Sequence, residues 1–302
     1  MARKFVTLGH PVVNAQGETN YEKGPDDIYF IMFWIIASTF LRAFVMNFFL
    51  EPLARWRGVE TGNKTQRFCE QGWSFVYYTS SWPLGMYIMY HSDYWLDTRH
   101  FWIGYPHLAM PWLFKFYYLS QIGLWLQQFF VLHVEKRRKD YVEMFFHHVL
   151  TNTLLIASYY TNFTRIGNAV LSIMDFADIF LSFAKMMRYL RFQRVCDVTF
   201  VLFVVAWFVT RHGLCFWIAY SILTEPELYG ELKWDPANGV YYTETVRYVF
   251  MGLFALLQLV LVFWTYLIVK VVYRVISGNS AHDNRSDSED PSRSSTSSKK
   301  HR

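Results

Sequence analysis

The chain has 302 residues, of which 53% are hydrophobic, 20% are aromatic and only 18% are charged. Soluble globular proteins usually carry about 25% charged residues, and these fractions also exclude a disordered protein, a coiled coil and a collagen-like repeat. The formal net charge is only +5, so the distribution of the basic residues matters more than their total. The three cysteines, Cys69, Cys196 and Cys215, are too widely spaced for a disulfide framework or a zinc-binding pattern.

Seven apolar runs approach the roughly 20 residues that an α-helix needs to cross a bilayer. In chain order they cover 28–50, 73–91, 111–133, 142–161, 167–187, 197–223 and 245–275. Core helices of a soluble protein would have long polar faces, which these runs lack. The sequence therefore predicts an all-α polytopic membrane protein with about seven transmembrane helices.

The two ends of the chain differ from this apolar part. Residues 1–27 are polar and lack the apolar core of a secretory signal, so the first span, within 28–66, is expected to target the chain. Residues 277–302 are rich in Ser, Asp and basic residues and are predicted to form a disordered tail. Their end, with Lys299 and Lys300, resembles a dilysine signal for retrieval to the endoplasmic reticulum.

The basic residues predict the orientation of the chain. They cluster in the loops after the first, third and fifth spans and at the end of the seventh. Because basic loops stay in the cytosol, residues 1–27 are predicted to be lumenal and the carboxyl terminus cytosolic.

Ionisable residues within the spans are the main functional signal, because a charged group in a bilayer is rare without a partner or a role. They are His147 and His148 in the fourth span, Asp175 and Asp178 in the fifth, and Arg211 and His212 in the sixth. At about 1.5 Å per residue, the histidines lie about 10 Å from the cytosolic side, and the aspartates about 14–18 Å. The aspartates share one helix face, and a short loop makes the two spans antiparallel neighbours. We therefore expect both pairs to meet in the cytosolic half of the membrane.

Three interpretations of this cluster follow from its chemistry. A histidine with a carboxylate partner, which fixes the imidazole tautomer, is a competent general base or nucleophile. Attack of the imidazole on a thioester would give an acyl-imidazole, which an amine can then take. Two histidines and two aspartates could instead bind zinc or iron, although adjacent histidines on a helix point about 100° apart. The cluster could also be a purely structural clamp between helices.

The same residues resemble the signature motif of the ceramide synthases, which are TLC-domain membrane proteins. The matching positions are Phe146, His147, His148, Thr151, Ser158, Tyr159, 163–167, Met174, Asp175, Asp178, Ile179, Lys185 and Tyr189. Two further segments, 85–93 and 135–141, are similar to the yeast longevity-assurance synthases. The resemblance covers about residues 25–276.

The resemblance implies a six-helix TLC-type catalytic domain over 67–276, built around a lipid cavity. It implies N-acylation of dihydrosphingosine or phytosphingosine by a long- or very-long-chain acyl-CoA at the endoplasmic reticulum membrane. His147, His148, Asp175 and Asp178 are then the catalytic residues. No metal and no cofactor other than the co-substrate acyl-CoA is expected. The implied protein partners are a small single-pass subunit and a second synthase chain, identical or paralogous, in a dimer; no nucleic acid is expected.

Two basic clusters are expected to contact the substrate. Lys136, Arg137, Arg138 and Lys139 at the cytosolic rim would meet the phosphates of acyl-CoA, unless they serve only to set the topology. Arg211 and His212 match a further family position, and we expect this pair to compensate the aspartate charges. Two other functions stay open at this point: a non-catalytic TLC-domain lipid carrier or translocon-associated protein, and a metal-dependent lipid oxidase or hydroxylase.

Overall fold

The computed structural model describes residues 3–14, 17–135 and 139–277. Lys136, Arg137 and Arg138 lie outside the described residues, as does the tail from 278 onward with its predicted disorder and retrieval signal. Seven long helices follow one another in the described part. They are α1 (Asp27–Trp56), α2 (Asn63–Tyr90), α3 (Trp112–Val134), α4 (Tyr141–Tyr160), α5 (Thr164–Tyr189), α6 (Gln193–Thr224) and α7 (Glu244–Ile276).

These helices confirm the all-α membrane fold. Four of them, α1, α5, α6 and α7, are long and apolar enough to cross a membrane. Helices α2, α3 and α4 are not among these four; α2, for example, opens with the ion pair of Arg67 and Glu70, a turn apart, before its apolar part begins. The prediction of a multi-pass membrane protein is therefore confirmed, while seven crossings stay a prediction.

Short elements cover the end of the bundle that is predicted to be lumenal. Strands β1 (Pro11–Val13), β2 (Thr19–Tyr21) and β3 (Met110–Pro111) form an antiparallel sheet in which Pro11 lies opposite Tyr21 and Tyr21 opposite Met110. Strands β4 (Lys233–Asp235) and β5 (Val240–Tyr242) form a second hairpin between α6 and α7. Single helical turns Arg3–Val6, Thr98–Phe101, Pro226–Tyr229 and Pro236–Asn238 complete the described secondary structure.

Packing of the long helices places the core around a central cavity. Helix α2 packs along α5, α5 along α6, and α3 along both α1 and α4. The close crossing of α1 and α3 depends on Gly123, where a Cβ atom would lie 2.7 Å from the Cβ of Trp34 and 3.0 Å from the carbonyl oxygen of Ile31. A larger residue at this position would push the two helices apart.

A buried lysine fastens the amino-terminal segment to the bundle. The Lys115 ammonium on α3 is fully buried and lies 2.6 Å from Asp27 at the start of α1. It also donates to the carbonyl oxygens of Gly9, at 3.0 Å, and Glu22, at 2.6 Å. Asp27 accepts a further hydrogen bond of 2.7 Å from the Tyr159 hydroxyl of α4. The ion pair of Lys115 and Asp27, with its hydrogen bonds, thus links the polar segment before α1 to α1, α3 and α4.

We expect Lys115→Met to destabilise the protein by about 3–5 kcal/mol, because it leaves the Asp27 carboxylate buried without its cation. The measurement is the thermal unfolding midpoint of the purified protein, together with protease cleavage within the segment before α1. The matched control is Lys4→Met, which breaks the exposed ion pair with Asp26 and should leave the midpoint nearly unchanged. Equal midpoints for wild type and Lys115→Met would show that this ion pair does not hold the segment.

Candidate active site

A cavity of about 330 Å³ lies among the long helices, and its lining changes in character along its length. Charged side chains line the predicted cytosolic end: Arg42, Glu70, Glu135, Asp140 and Lys185. Aromatic side chains line the opposite end: Trp102, Phe163, Tyr242 and Phe250. His147, His148, Asp175, Asp178 and Arg211 line the part between them. All four predicted catalytic residues therefore face one cavity.

The histidine pair is held by its own helix and by two tryptophans. His148 is buried, and its Nδ1 lies 2.7 Å from the carbonyl oxygen of Met144, one turn earlier on α4. Because a carbonyl oxygen only accepts, this contact assigns the proton to Nδ1 and leaves the lone pair on Nε2. The His147 ring packs edge-on against Trp264 of α7, with ring centroids 5.1 Å apart, and against Trp125 of α3 at 5.9 Å.

The two aspartates have different partners. Asp175 is 1% exposed and accepts a hydrogen bond of 2.9 Å from the Ser81 hydroxyl of α2. Asp178 forms an ion pair of 2.7 Å with Arg211 of α6. One carboxylate is thus held by a neutral donor, while the charge of the other is compensated by a cation.

Arg211 reaches the cavity from a stretch of π-helix, Phe208–Leu214, inside α6. The wider turn changes the direction in which the side chains project, and the Gln258 amide of α7 donates to the Arg211 carbonyl at 2.9 Å. The guanidinium carbon lies 4.3 Å from the ring centroid of Trp207. Of the pair expected to compensate the aspartates, Arg211 therefore makes a direct contact with Asp178.

His212 points elsewhere. Adjacent residues on a helix project in different directions, and the Nε2 atom of His212 lies 2.8 Å from the Thr265 hydroxyl of α7, away from the lining of the cavity. Lys139, the one described member of the basic cluster, is exposed in the loop between α3 and α4. The structure therefore brings Arg211 to the cavity and leaves His212 and Lys139 outside it.

Direct contact between the histidines and the aspartates was expected, and the structure differs from this expectation. In the described part of the chain, no hydrogen bond joins His147 or His148 to either carboxylate. The backbone carbonyl of Met144, rather than an aspartate, sets the tautomer of His148. The reason is that the imidazole satisfies its donor within its own helix, while Ser81 and Arg211 occupy the two carboxylates.

Sequence reasoning missed the side chains behind Asp175. Ser81 and Gln121 are polar residues within the apolar runs 73–91 and 111–133. A polar residue in an apolar run is the same pattern that singled out the histidines, but an uncharged hydroxyl or amide is weaker evidence of a function. Both are buried in the structure. Among residues 3–14, 17–135 and 139–277, no three His, Cys, Asp or Glu side chains are grouped so that they could hold a metal ion.

Comparisons with known proteins identify the family. The model of the TLC domain matches residues 67–270 of this chain. The chain belongs to the TLC-domain family. The sphingosine N-acyltransferase lag1 of Schizosaccharomyces pombe is 44% identical over 289 residues, which are 95% of this chain and 73% of that protein. The ceramide synthase LAG1 of Saccharomyces cerevisiae is 38% identical over 288 residues, 94% of this chain and 69% of that protein.

A human relative extends the similarity beyond fungi. Human ceramide synthase 5 is 32% identical over 230 residues, which are 75% of this chain and 55% of that protein. The resemblance of the TLC domain to fungal ceramide synthases, inferred above from the motifs, is thereby confirmed.

Proposed function

We propose that this protein is an acyl-CoA-dependent sphingosine N-acyltransferase, that is, a ceramide synthase. The observation that carries the proposal is a single cavity in which the motif histidines and aspartates lie between a charged end and an aromatic end. Relatives that cover most of the chain are named sphingosine N-acyltransferases and ceramide synthases. The reaction transfers a fatty acyl group from acyl-CoA to the amine of dihydrosphingosine or phytosphingosine.

The polarity of the cavity fits both substrates. An acyl-CoA has a polyanionic head and an alkyl tail, and a sphingoid base has a cationic amine and an alkyl tail. The heads would lie at the charged end, near Lys185 and near Arg42, which is ion-paired with Glu135, and the acyl chain would extend towards Trp102 and Phe250. The thioester would then lie at the level of the histidines, where the bond exchange takes place.

The chemistry needs a nucleophile and a base, and we assign these roles to the histidine pair. An imidazole nitrogen attacks the thioester carbonyl, the C–S bond breaks, and CoA leaves as its thiolate, which is protonated by the proton that the amine loses in the second step. The amine of the sphingoid base then attacks the acyl-imidazole, so that the amide C–N bond forms and the imidazole is released. The neighbouring imidazole takes the proton of the amine. Asp175 stabilises the positive charge that develops on the rings, and Asp178 holds Arg211 at the cavity.

Further parts of the proposal rest on the sequence and the family. The protein lies in the endoplasmic reticulum membrane with its carboxyl terminus in the cytosol, where Lys299 and Lys300 act in retrieval. The basic residues 136–139 bind the CoA phosphates. A small single-pass subunit and a second synthase chain are its protein partners. Acyl-CoA is a co-substrate, and no further cofactor takes part.

The test of the reaction is mass spectrometry of the products formed by purified protein in lipid nanodiscs, co-purified with a fungal single-pass subunit. Acyl-CoA is offered with a sphingoid base, a fatty alcohol or a lysophospholipid as alternative acceptors. We expect an N-acyl product from the sphingoid base alone. Transfer to none of the acceptors by well-folded protein would reject the enzyme and favour a lipid carrier.

The aromatic end of the cavity predicts which acyl chains are accepted. Phe163 packs against Phe250 and Tyr242, with ring centroids 5.3 and 5.5 Å apart, and Trp102 lies 5.1 Å from Tyr242. Phe250→Ala would remove one ring from this end and lengthen the apolar space. We therefore expect the variant to prefer longer acyl-CoA chains than the wild type in a competition assay with a chain-length series.

The matched control is Phe263→Ala on the same helix, where the ring is 39% exposed and does not line the cavity. This control should keep the wild-type preference. An unchanged preference in Phe250→Ala would show that the aromatic end does not limit chain length.

A further inference from the structure

A chain of hydrogen bonds reaches Asp175 from behind the cavity. The Tyr77 hydroxyl donates to Oε1 of Gln121 at 2.6 Å, and Nε2 of Gln121 donates to the Ser81 hydroxyl at 2.6 Å. The Ser81 hydroxyl donates to Oδ2 of Asp175 at 2.9 Å. All four side chains are buried, and they come from α2, α3 and α5. We call Tyr77, Gln121 and Ser81 the relay.

The donors of the relay all point towards Asp175. The Ser81 hydroxyl has one proton. Because the Gln121 amide donates to the hydroxyl oxygen, this proton is available to the Asp175 carboxylate. The amide oxygen of Gln121 is in turn satisfied by the proton of Tyr77. Each member therefore fixes the direction of the next, and loss of Gln121 would leave the Ser81 proton free to turn to another acceptor.

The positions of Ser81 and Gln121 separate these two members of the relay from the substrate. Asp175 and Tyr77 line the cavity, whereas Ser81 and Gln121 are absent from its lining. These two side chains can therefore influence a reaction in the cavity through Asp175. Asp178 differs, because its partner Arg211 lines the cavity itself.

The kind of donor that holds each aspartate determines whether the carboxylate keeps its negative charge. The guanidinium of Arg211 neutralises the carboxylate that it holds, whereas a hydroxyl orients a carboxylate and leaves its charge available. A carboxylate that must stabilise a positively charged imidazole or ammonium keeps that ability when its partner is neutral.

We infer that Ser81 and Gln121 are positioning residues that hold the Asp175 carboxylate in its orientation towards the reacting groups in the cavity. This inference rests on the proposed acyl transfer. A positioning residue alters the rate of the chemical step and leaves substrate binding almost unchanged.

The test uses Ser81→Ala, which removes the donor to Asp175, and Gln121→Met, which keeps the volume of the side chain and removes the donor to Ser81. In the nanodisc assay we expect kcat to fall by about 10–100-fold in each variant, as for other residues that orient a functional group from behind. The KM for acyl-CoA should stay within about twofold of the wild-type value. The control is Ser120→Ala, next to Gln121. Within the part of the chain that the structure describes, the Ser120 hydroxyl bonds only to the Phe116 and Tyr117 carbonyls of its own helix, so this variant should keep the wild-type kcat.

The double variant Ser81→Ala/Gln121→Met distinguishes a relay from two separate structural effects. If Gln121 acts through Ser81, the double variant loses no more activity than the worse single variant. Multiplied losses, or wild-type kcat in both folded single variants, would overturn the inference. So would a loss of folding in both, as judged by the unfolding midpoint, because the relay would then be a structural contact. A wild-type protein without N-acyl product would instead reject the proposed function, on which the relay depends.

Discussion

His148→Ala and His147→Ala should each lower the rate of N-acyl transfer by about 10³-fold or more while the protein still folds. The reason is that both rings line the cavity, and Nε2 of His148 keeps its lone pair because Nδ1 donates to the Met144 carbonyl. Neither ring forms a hydrogen bond to another helix in the described part of the chain, so their removal breaks no such link between helices. The measurement is product formation by purified variants with equal unfolding midpoints.

Matched controls exist for this experiment. His91 and His133 also place Nδ1 against the carbonyl oxygen four residues earlier, at 2.9 and 2.8 Å, but they do not line the cavity. His91→Ala and His133→Ala should keep the wild-type rate. Near-normal transfer by both cavity variants would remove the histidines from the mechanism.

Arg211→Met should lower both stability and activity, because it removes the cation from the ion pair that Arg211 forms with Asp178 inside the membrane. Removal of one partner of a buried ion pair costs about 3–5 kcal/mol, and we expect the lower end because Asp178 is 23% exposed, towards the cavity. The expected result is a lower unfolding midpoint and a fall in kcat of about 100-fold.

A second variant separates the effect on stability from the effect on activity. Arg211→Met with Asp178→Asn has no uncompensated charge, so the unfolding midpoint should recover while activity stays low. Arg99→Met, which breaks an exposed ion pair with Asp97, is the control and should change neither quantity. If the double variant were as unstable as Arg211→Met alone, charge compensation would not be the role of Arg211.

The apolar runs predicted the long helices because burial in lipid requires them, but the runs did not predict where the helices end. Helix α2 begins at Asn63 rather than near 73, since the ion pair of Arg67 and Glu70 continues the helix beyond its apolar part. The short strands on the predicted lumenal face were not foreseen. Strands of two or three residues are too short for an alternating pattern to be recognised.

The cluster of ionisable residues was predictable because such residues are rare inside a membrane without a function or a partner. The spacing also placed Asp175 and Asp178 on one face. The sequence could not show that Arg211, and not His212, faces the cavity, because a stretch of π-helix alters the direction of both side chains. Ser81 and Gln121 stayed unnoticed because single hydroxyl and amide groups are common in apolar helices and acquire a role only through contacts with other helices.

The central claim is that the histidines in this cavity transfer an acyl group to a sphingoid base. The most direct test is the rate at which purified wild type and the double variant His147→Ala/His148→Ala convert isotope-labelled acyl-CoA and dihydrosphingosine into labelled ceramide, in parallel and with matched unfolding midpoints. We expect labelled ceramide from the wild type and none above background from the variant. Equal rates for the two proteins, or no product from folded wild type, would contradict it.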